Sequence, residues 1–325
     1  MVSNNTKLLI KYARFFILIL LFSGFSLLSP HFLTFQNQMN ILTQAALLSM
    51  VSYGMTLAIV TGGIDLSMGS VLALSSCIAA SFLKSGNIIG GILIGLIIGF
   101  LCGSINGLSI TKIGLSPFIA TYGMDWVARG LAYVYMGGTQ IYGFSAVFRF
   151  LGSGQFLGVP ALIYEMAIMT IVLVFVTYKT IYGRNIYATG SNKTATRLSG
   201  VNTDKIIISI YSINGLLSAI VGLLYISRLN AAEAVIGTDF TLNSIAATLI
   251  GGTPFSGGEG GVAQTFIGAV IMTLLTNGMN ILGISSYWQN AVVGFVILFS
   301  LFIEKTGKVF SEKRFESVSK TSINA

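Results

Sequence analysis

Residues 88–110 read I-I-G-G-I-L-I-G-L-I-I-G-F-L-C-G-S-I-N-G-L-S-I, 23 positions without a charge. At 1.5 Å per residue such a helix covers about 35 Å, enough to cross a hydrocarbon core of about 30 Å. Apolar runs recur on both sides, and spans are predicted over 14–30, 41–61, 66–84, 88–110, 115–136, 160–180, 206–227, 240–252, 261–283 and 287–304. The eighth is too short to cross alone as a helix; it is tilted or extends back past Asp239. Only 9% of the 325 residues are charged and mean hydropathy is +0.84, against about 25% charged in soluble domains. The fold class is therefore all-α, a polytopic integral membrane protein with about ten transmembrane helices. It divides into an arm (1–13), one transmembrane domain (14–304) and a polar tail (305–325).

Charge sets the orientation. With the N-terminus inside, fourteen basic residues fall on the cytoplasmic side and three outside, Lys84, Arg149 and Arg228, as the positive-inside rule requires. Both termini are then cytoplasmic. The basic residues Lys7, Lys11 and Arg14 precede the apolar run Phe15–Ser29, but Pro30-His31-Phe32 follows where a cleavage site would lie, so the run reads as an uncleaved span. The net charge of +8 sits in loops and tails rather than on a basic face with aromatics, so no nucleic-acid partner is expected. Cys77 and Cys102 lie inside apolar runs and read as small hydrophobes. A lone His31 is no metal site. The only Gly-Lys pair, Gly307-Lys308, has Phe302 where a phosphate-binding loop needs its first glycine. No nucleophile–base arrangement emerges, so the chain is not expected to be an enzyme or to bind a cofactor itself.

Between two runs lies T-G-G-I-D-L-S-M-G-S, Thr61–Ser70, carrying the only acid of the first 124 positions. Gly62 and Gly63 suit a left-handed helix end. Asp65 suits a cap for the next helix, accepting from N–H groups near Ser67 or Met68, with Gly69 following. Two forms stay open: a corner at the cytoplasmic side, or a helix break within the membrane. A weak echo, G-G-T-P-F-S-G-G-E-G-G-V at 251–262, places Gly251, Gly252, Gly257 and Gly258 at a second candidate break or gate. In the fifth span Asp125 and Arg129 stand i,i+4 in the favourable acid-first order and are read as an intramembrane ion pair.

The polar segment Gly183–Val201, G-R-N-I-Y-A-T-G-S-N-K-T-A-T-R-L-S-G-V, has Asn192 as an N-cap and Gly200 as the left-handed terminator of about two turns. Ala195 and Leu198 share a face. Lys193 and Arg197 sit side by side, which suits an acidic partner surface or anionic headgroups.

This segment resembles the coupling segment of ABC-importer permeases of the ribose/xylose/galactose type. It matches at Gly183, Arg184, Ile186, Tyr187, Ala188, Gly190, Asn192, Ala195, Arg197, Leu198, Ser199 and Gly200, and departs at Thr196, usually Ala. Thr61–Ser70, I-G-G-T-P-F-S-G-G-E-G at 250–260 and N-G-M-N-I-L-G at 277–283 extend the resemblance over about 35–304. Asp125-Trp126 replaces a bland pair of the family. Thr241 and Asn243 stand where Glu and Asp are common, so any role needing carboxylates there is not carried over.

The resemblance implies a permease subunit in the bacterial cytoplasmic membrane. It works with a second copy or a paralogue, with cytoplasmic ATPase subunits that hold ATP and Mg, and with an extracytoplasmic sugar-binding protein. The substrate implied is a monosaccharide. A nucleoside or autoinducer-2 permease, or an ion-coupled transporter using Asp125 and Arg129, are the alternatives. A neutral polyol needs hydrogen-bonding groups along its path, and Asn106, Asn243, Asn277, Asn280 and Gln289 are the candidates; for any one, a bond between helices is the plainer role.

Overall fold

The computed structural model describes residues 4–302 and 305, with side chains from Arg14 onward; the expected tail lies, beyond Lys305, outside them. The fold is all-α. In chain order the helices are α1 (Asn4–Leu28), α2 (Phe35–Val60), α3 (Met68–Lys84), α4 (Ile88–Leu108), α5 (Pro117–Met136), α6 (Ala146–Ser153), α7 (Ala161–Lys179), α8 (Ile181–Ser191), α9 (Lys193–Leu198), α10 (Thr203–Leu229), α11 (Phe240–Ile250) and α12 (Val262–Ile281), then α13 (Ser286–Phe302). A π-turn, Ser109–Ile113, continues α4. Among the described residues, five helices meet the length and apolarity of a full membrane span: α2, α4 with its π-turn, α7, α10 and α12.

The run that opens the sequence is held by its glycines. Gly91, Gly95, Gly99, Gly103 and Gly107 recur every fourth residue on α4 and all are buried, while Ile89, Leu93, Ile97 and Ile105 are exposed on the helix's other side. A Cβ at Gly103 would collide with the Tyr211 carbonyl of α10, and one at Gly215 with the Gly99 carbonyl. Small residues let the two backbones touch where lipid supplies no hydrophobic drive. Helix α10 also packs on α3 and α2, and Met50, Met55, Met68, Leu72 and Val221 fill the common core.

The connection 137–159 contains α6 and parts of two small ribbons. Strand β1 (Ile141–Tyr142) is one. Strands β2 (Gln155–Phe156) and β3 (Val159–Pro160) pair with each other, and β1 pairs antiparallel with β4 (Ala231–Ala232). Ser227 ties α6 to α10 by donating to the Phe148 carbonyl (2.7 Å) and accepting from the Gly152 amide (2.8 Å).

Helix α11 is too short to cross: it has 11 residues, about 17 Å against a core of about 30 Å. Helix α3, with 17, stands at the lower end of a spanning length. The eighth expected span is therefore neither a tilted crossing helix nor one extended past Asp239: the chain from Ala231 to Asp239 is a two-residue strand followed by turns. Likewise α2 ends at Val60 and α3 starts only at Met68. Thr61–Ser67 is thus a non-helical connection between α2 and α3.

Candidate functional site

Buried non-helical backbone must find its hydrogen bonds inside the protein. Beyond its glycine cap, the Thr61–Ser70 segment does so through side chains. Helix α2 closes with Gly62 at φ +81°, its amide bonded to the Ile59 carbonyl (2.8 Å) and the Gly63 amide to Ala58 (2.9 Å), the paired bonds of a left-handed glycine cap. Beyond it, Tyr211 on α10 donates to the Ile64 carbonyl (3.1 Å). The Leu66 amide donates to Thr121 on α5 (3.1 Å). The Gly69 amide donates to Thr241 on α11 (3.1 Å).

Asp65 is 2% exposed. Its Oδ1 accepts from the Ser67 amide (3.0 Å) and hydroxyl (2.6 Å), and Asn214 Nδ2 approaches Oδ2 at 3.4 Å. The bond to Ser67 is the one expected, but its form is an Asx turn completed just before the helix rather than an N-cap bond into α3. Asn106 donates to the Ser67 hydroxyl (2.9 Å), so this pore candidate is spent on the same knot.

The second non-helical segment meets the first. A Cβ on Gly69 would strike the Gly237 carbonyl and, at 2.9 Å, Thr241 Oγ1. Arg129 crosses the gap: Nη1 donates to the carbonyls of Ala234 (2.5 Å) and Ile236 (2.8 Å), and Nε to the Ser70 hydroxyl (3.1 Å). Ser70 in turn donates to Asp125. The expected Asp125–Arg129 ion pair is thus corrected. Among the described residues the only ion pairs are those of Asp204 with Arg197 and Lys112. A hydroxyl from α3 stands between the two charges because the guanidinium reaches instead for carbonyls that no helix satisfies. Ser70 carried no signal beyond belonging to the quoted stretch, and Tyr211 none.

At the Val60 end of α2 three motifs converge. Helix α11 ends as α2 does, with Gly252 at φ +91° and bonds from its amide to Leu249 (2.8 Å) and from Thr253 to Thr248 (3.1 Å). Structurally Gly252 matches Gly62, so the sequence echo, which sets Gly251 against Gly62, is one residue out of register. The Gly258 amide donates to the Val60 carbonyl (2.8 Å), and a Cβ at Gly257 would lie 3.1 Å from the Gly62 amide. Gly190 of α8 packs on this same joint, where a Cβ would collide with the Val60 carbonyl. Tyr187 donates to the Gly260 carbonyl (2.9 Å).

Helix α8 is anchored as well as gripping. Thr180 accepts from the Gly183 amide (3.1 Å), Ile186 is fully buried among Leu57, Val60, Ile206 and Ile210, and Tyr182 bonds Ser209 (2.6 Å). Burial raises the Tyr182 and Tyr187 phenols above the ordinary range, so both stay neutral donors. Asn192 then caps α9 by accepting from Ala195 (2.9 Å), Gly200 terminates it at φ +87°, and the Ser199 hydroxyl donates to Ala195 (3.0 Å). Arg184 is exposed. Leu198 is 84% exposed. Ala195 and Lys193 are also exposed, and of α9 only Thr196 is buried. Arg197 is held by Asp204 (3.0 Å), which also faces Lys112 (3.7 Å).

Of the remaining pore candidates, only Asn280 and Gln289 bond each other among the described residues. Asn277 exchanges amide bonds with Asn37 (3.0 and 3.2 Å). Gln289 donates to Asn280 (2.7 Å). Asn243 is half-buried on α11. Glu165, an ionisable residue inside the sixth expected span, went unremarked among them although its position alone marks it; its Oε2 is buried and has no hydrogen-bond partner among the described residues.

Residues 37–301 match the family model described as "Branched-chain amino acid transport system / permease component". The chain is 42% identical to the ribose import permease protein RbsC of Bacillus subtilis (strain 168), over 86% of this chain and 88% of that one. It is 39% identical to the protein of the same name from Escherichia coli (strain K12), over 88% and 91%. It is 35% identical to the D-allose transport system permease protein AlsC of the same organism, over 91% of each. No solved structure matches the chain. The match across nearly all of its spans makes this chain a member of that permease family, a multi-pass membrane transport component.

Proposed function

We propose that this chain is the membrane-spanning subunit of an ATP-driven importer for a monosaccharide, ribose or a close relative. The carrying observation is the joint at Val60, Gly190 and Gly258: an exposed segment, α8–α9, grips the ends of both helix breaks backbone to backbone. Relatives named for ribose and allose import supply the substrate class. In this reading an ATPase subunit carrying ATP and Mg docks on α9 from the cytoplasm. A binding protein delivers sugar at the opposite end, and two permease copies work together. The proton-coupled alternative rested on Asp125 and Arg129, which here hold backbone carbonyls and Ser70.

The test is ATP hydrolysis by the chain purified with its ATPase and binding protein, across D-ribose, D-allose, D-xylose, D-galactose, nucleosides and autoinducer-2. Stimulation by a monosaccharide is expected. Stimulation only by another solute, or uptake that survives loss of the ATPase and collapses with an uncoupler, would refute the reading.

A further inference from the structure

At the end of the molecule opposite α8–α9 lies a cleft of about 680 Å³, within the range typical of small-molecule sites. The distance follows from α2 alone: Gln36, Asn37 and Asn40 in its first turns line the cleft, while Val60 at its other end belongs to the joint. The second wall is the β2–β3 hairpin with Gln155, and Arg228 in the last turn of α10 lines a third side.

None of the lining residues is acidic. The floor is fixed: Asn37 and Asn277 exchange amide bonds, and the half-buried Arg228 donates to Asn40 (3.0 Å). Among the described residues no carboxylate pairs with that guanidinium. The walls are unspent: Gln36 and Gln155 are exposed and make no side-chain hydrogen bond within the described residues. A primary amide offers both donors and an acceptor, and a guanidinium offers a planar fork. Hydroxyl groups, which both donate and accept, complement that set, whereas a cation finds no carboxylate there.

We infer that this cleft is a transit site for a neutral polyhydroxylated molecule, a monosaccharide, held against the fixed Asn40–Arg228 floor by Gln36 and Gln155. It rests on the reading of the chain as a sugar permease. Amide side chains without an internal partner must be ordered when sugar binds, which keeps affinity low, and a site that passes its ligand onward has to be weak.

The experiment is saturation-transfer NMR on the permease–ATPase complex in nanodiscs without binding protein, with D-ribose, D-allose, D-xylose and D-galactose at millimolar concentration and D-ribose 5-phosphate as anionic probe. At least one neutral sugar should receive saturation above empty nanodiscs. The signal should fall at least fivefold in the double variant Gln36→Leu, Gln155→Leu; neither residue has an internal partner to lose, so its melting temperature should match wild type. No transfer to any neutral sugar, an undiminished signal in the variant, or binding of the phosphate probe alone would each overturn the site. If sugar-stimulated ATP hydrolysis of the full system persists in those cases, only the cleft is wrong. If no monosaccharide stimulates the wild-type system, the functional reading falls and the transit site with it.

Discussion

Asp65 is a buried carboxylate whose work is to finish a turn. Asparagine keeps an Oδ1 for both Ser67 donors, and Asn214, whose Oδ1 lacks a partner, can turn its amide to accept from the new Nδ2. Asp65→Asn should therefore melt within a few degrees of wild type. Asp65→Ala strands the Ser67 donors and should lose about 1–3 kcal/mol, read by thermal unfolding in detergent; equal loss in both would mean the charge itself is needed. Arg129 allows a sharper comparison. Lysine can reach one carbonyl of the pair Ala234 and Ile236, while leucine reaches neither and also leaves Asp125 without its bridged cation. The expected order of melting temperatures is wild type, Arg129→Lys, Arg129→Leu, with about 1–3 kcal/mol for each acceptor left unpaired. At this scale the residue types were legible, since a lone acid behind two glycines and an arginine in a span draw notice by their rarity. Ser67, two positions on, was legible as the partner of Asp65; the distant partners were not. Ser70 and Ala234 lie 59 and 105 positions from Arg129, and Tyr211 lies 147 from Ile64, and hydrogen bonding across helices leaves no periodic trace.

Helices α8 and α9 divide their labour. The first is pinned and the second presented, so substitutions on α9 should change docking without changing the fold. Leu198→Asp alters a side chain 84% exposed, a position where surface changes stay within about 0.5 kcal/mol; it should leave melting unchanged and abolish co-purification of the ATPase. Arg197 needs a control, because its guanidinium is already held by Asp204. Arg197→Glu alone should lose the ATPase and repel Asp204; adding Asp204→Arg restores the local pair. If the double variant recovers docking, Arg197 acts by holding α9 in place. If not, the positive charge itself meets the partner. Gly190→Ala tests the grip: its methyl would fall on the Val60 carbonyl, and overpacking of this kind costs about 1–3 kcal/mol. A lower melting temperature with at least tenfold less transport per ATP hydrolysed is expected, against unchanged coupling if the close approach is incidental.

For the whole molecule, the charge count predicts which end faces the cytoplasm. Single cysteines at Ser199 and Gln155 should label from opposite faces of intact cells with a membrane-impermeant reagent, Gln155 from outside. Cys77 and Cys102 are buried and should give little background. Labelling of Ser199 from outside would invert the orientation.

Hydropathy determined from the sequence alone that this is a bundle of membrane helices, because each span must bury its own backbone and reports its length locally. Three motifs determined the family in the same way, by residues close together in the chain. Only the tertiary structure decided that α11 is too short to cross, that its open end meets that of α3 through Gly69 and Gly237, and that Arg129 serves carbonyls rather than an acid. The physical reason is common to all three. A peptide group released from a helix inside a membrane must find a partner somewhere in the protein, and where that partner stands is a property of packing rather than of any local stretch.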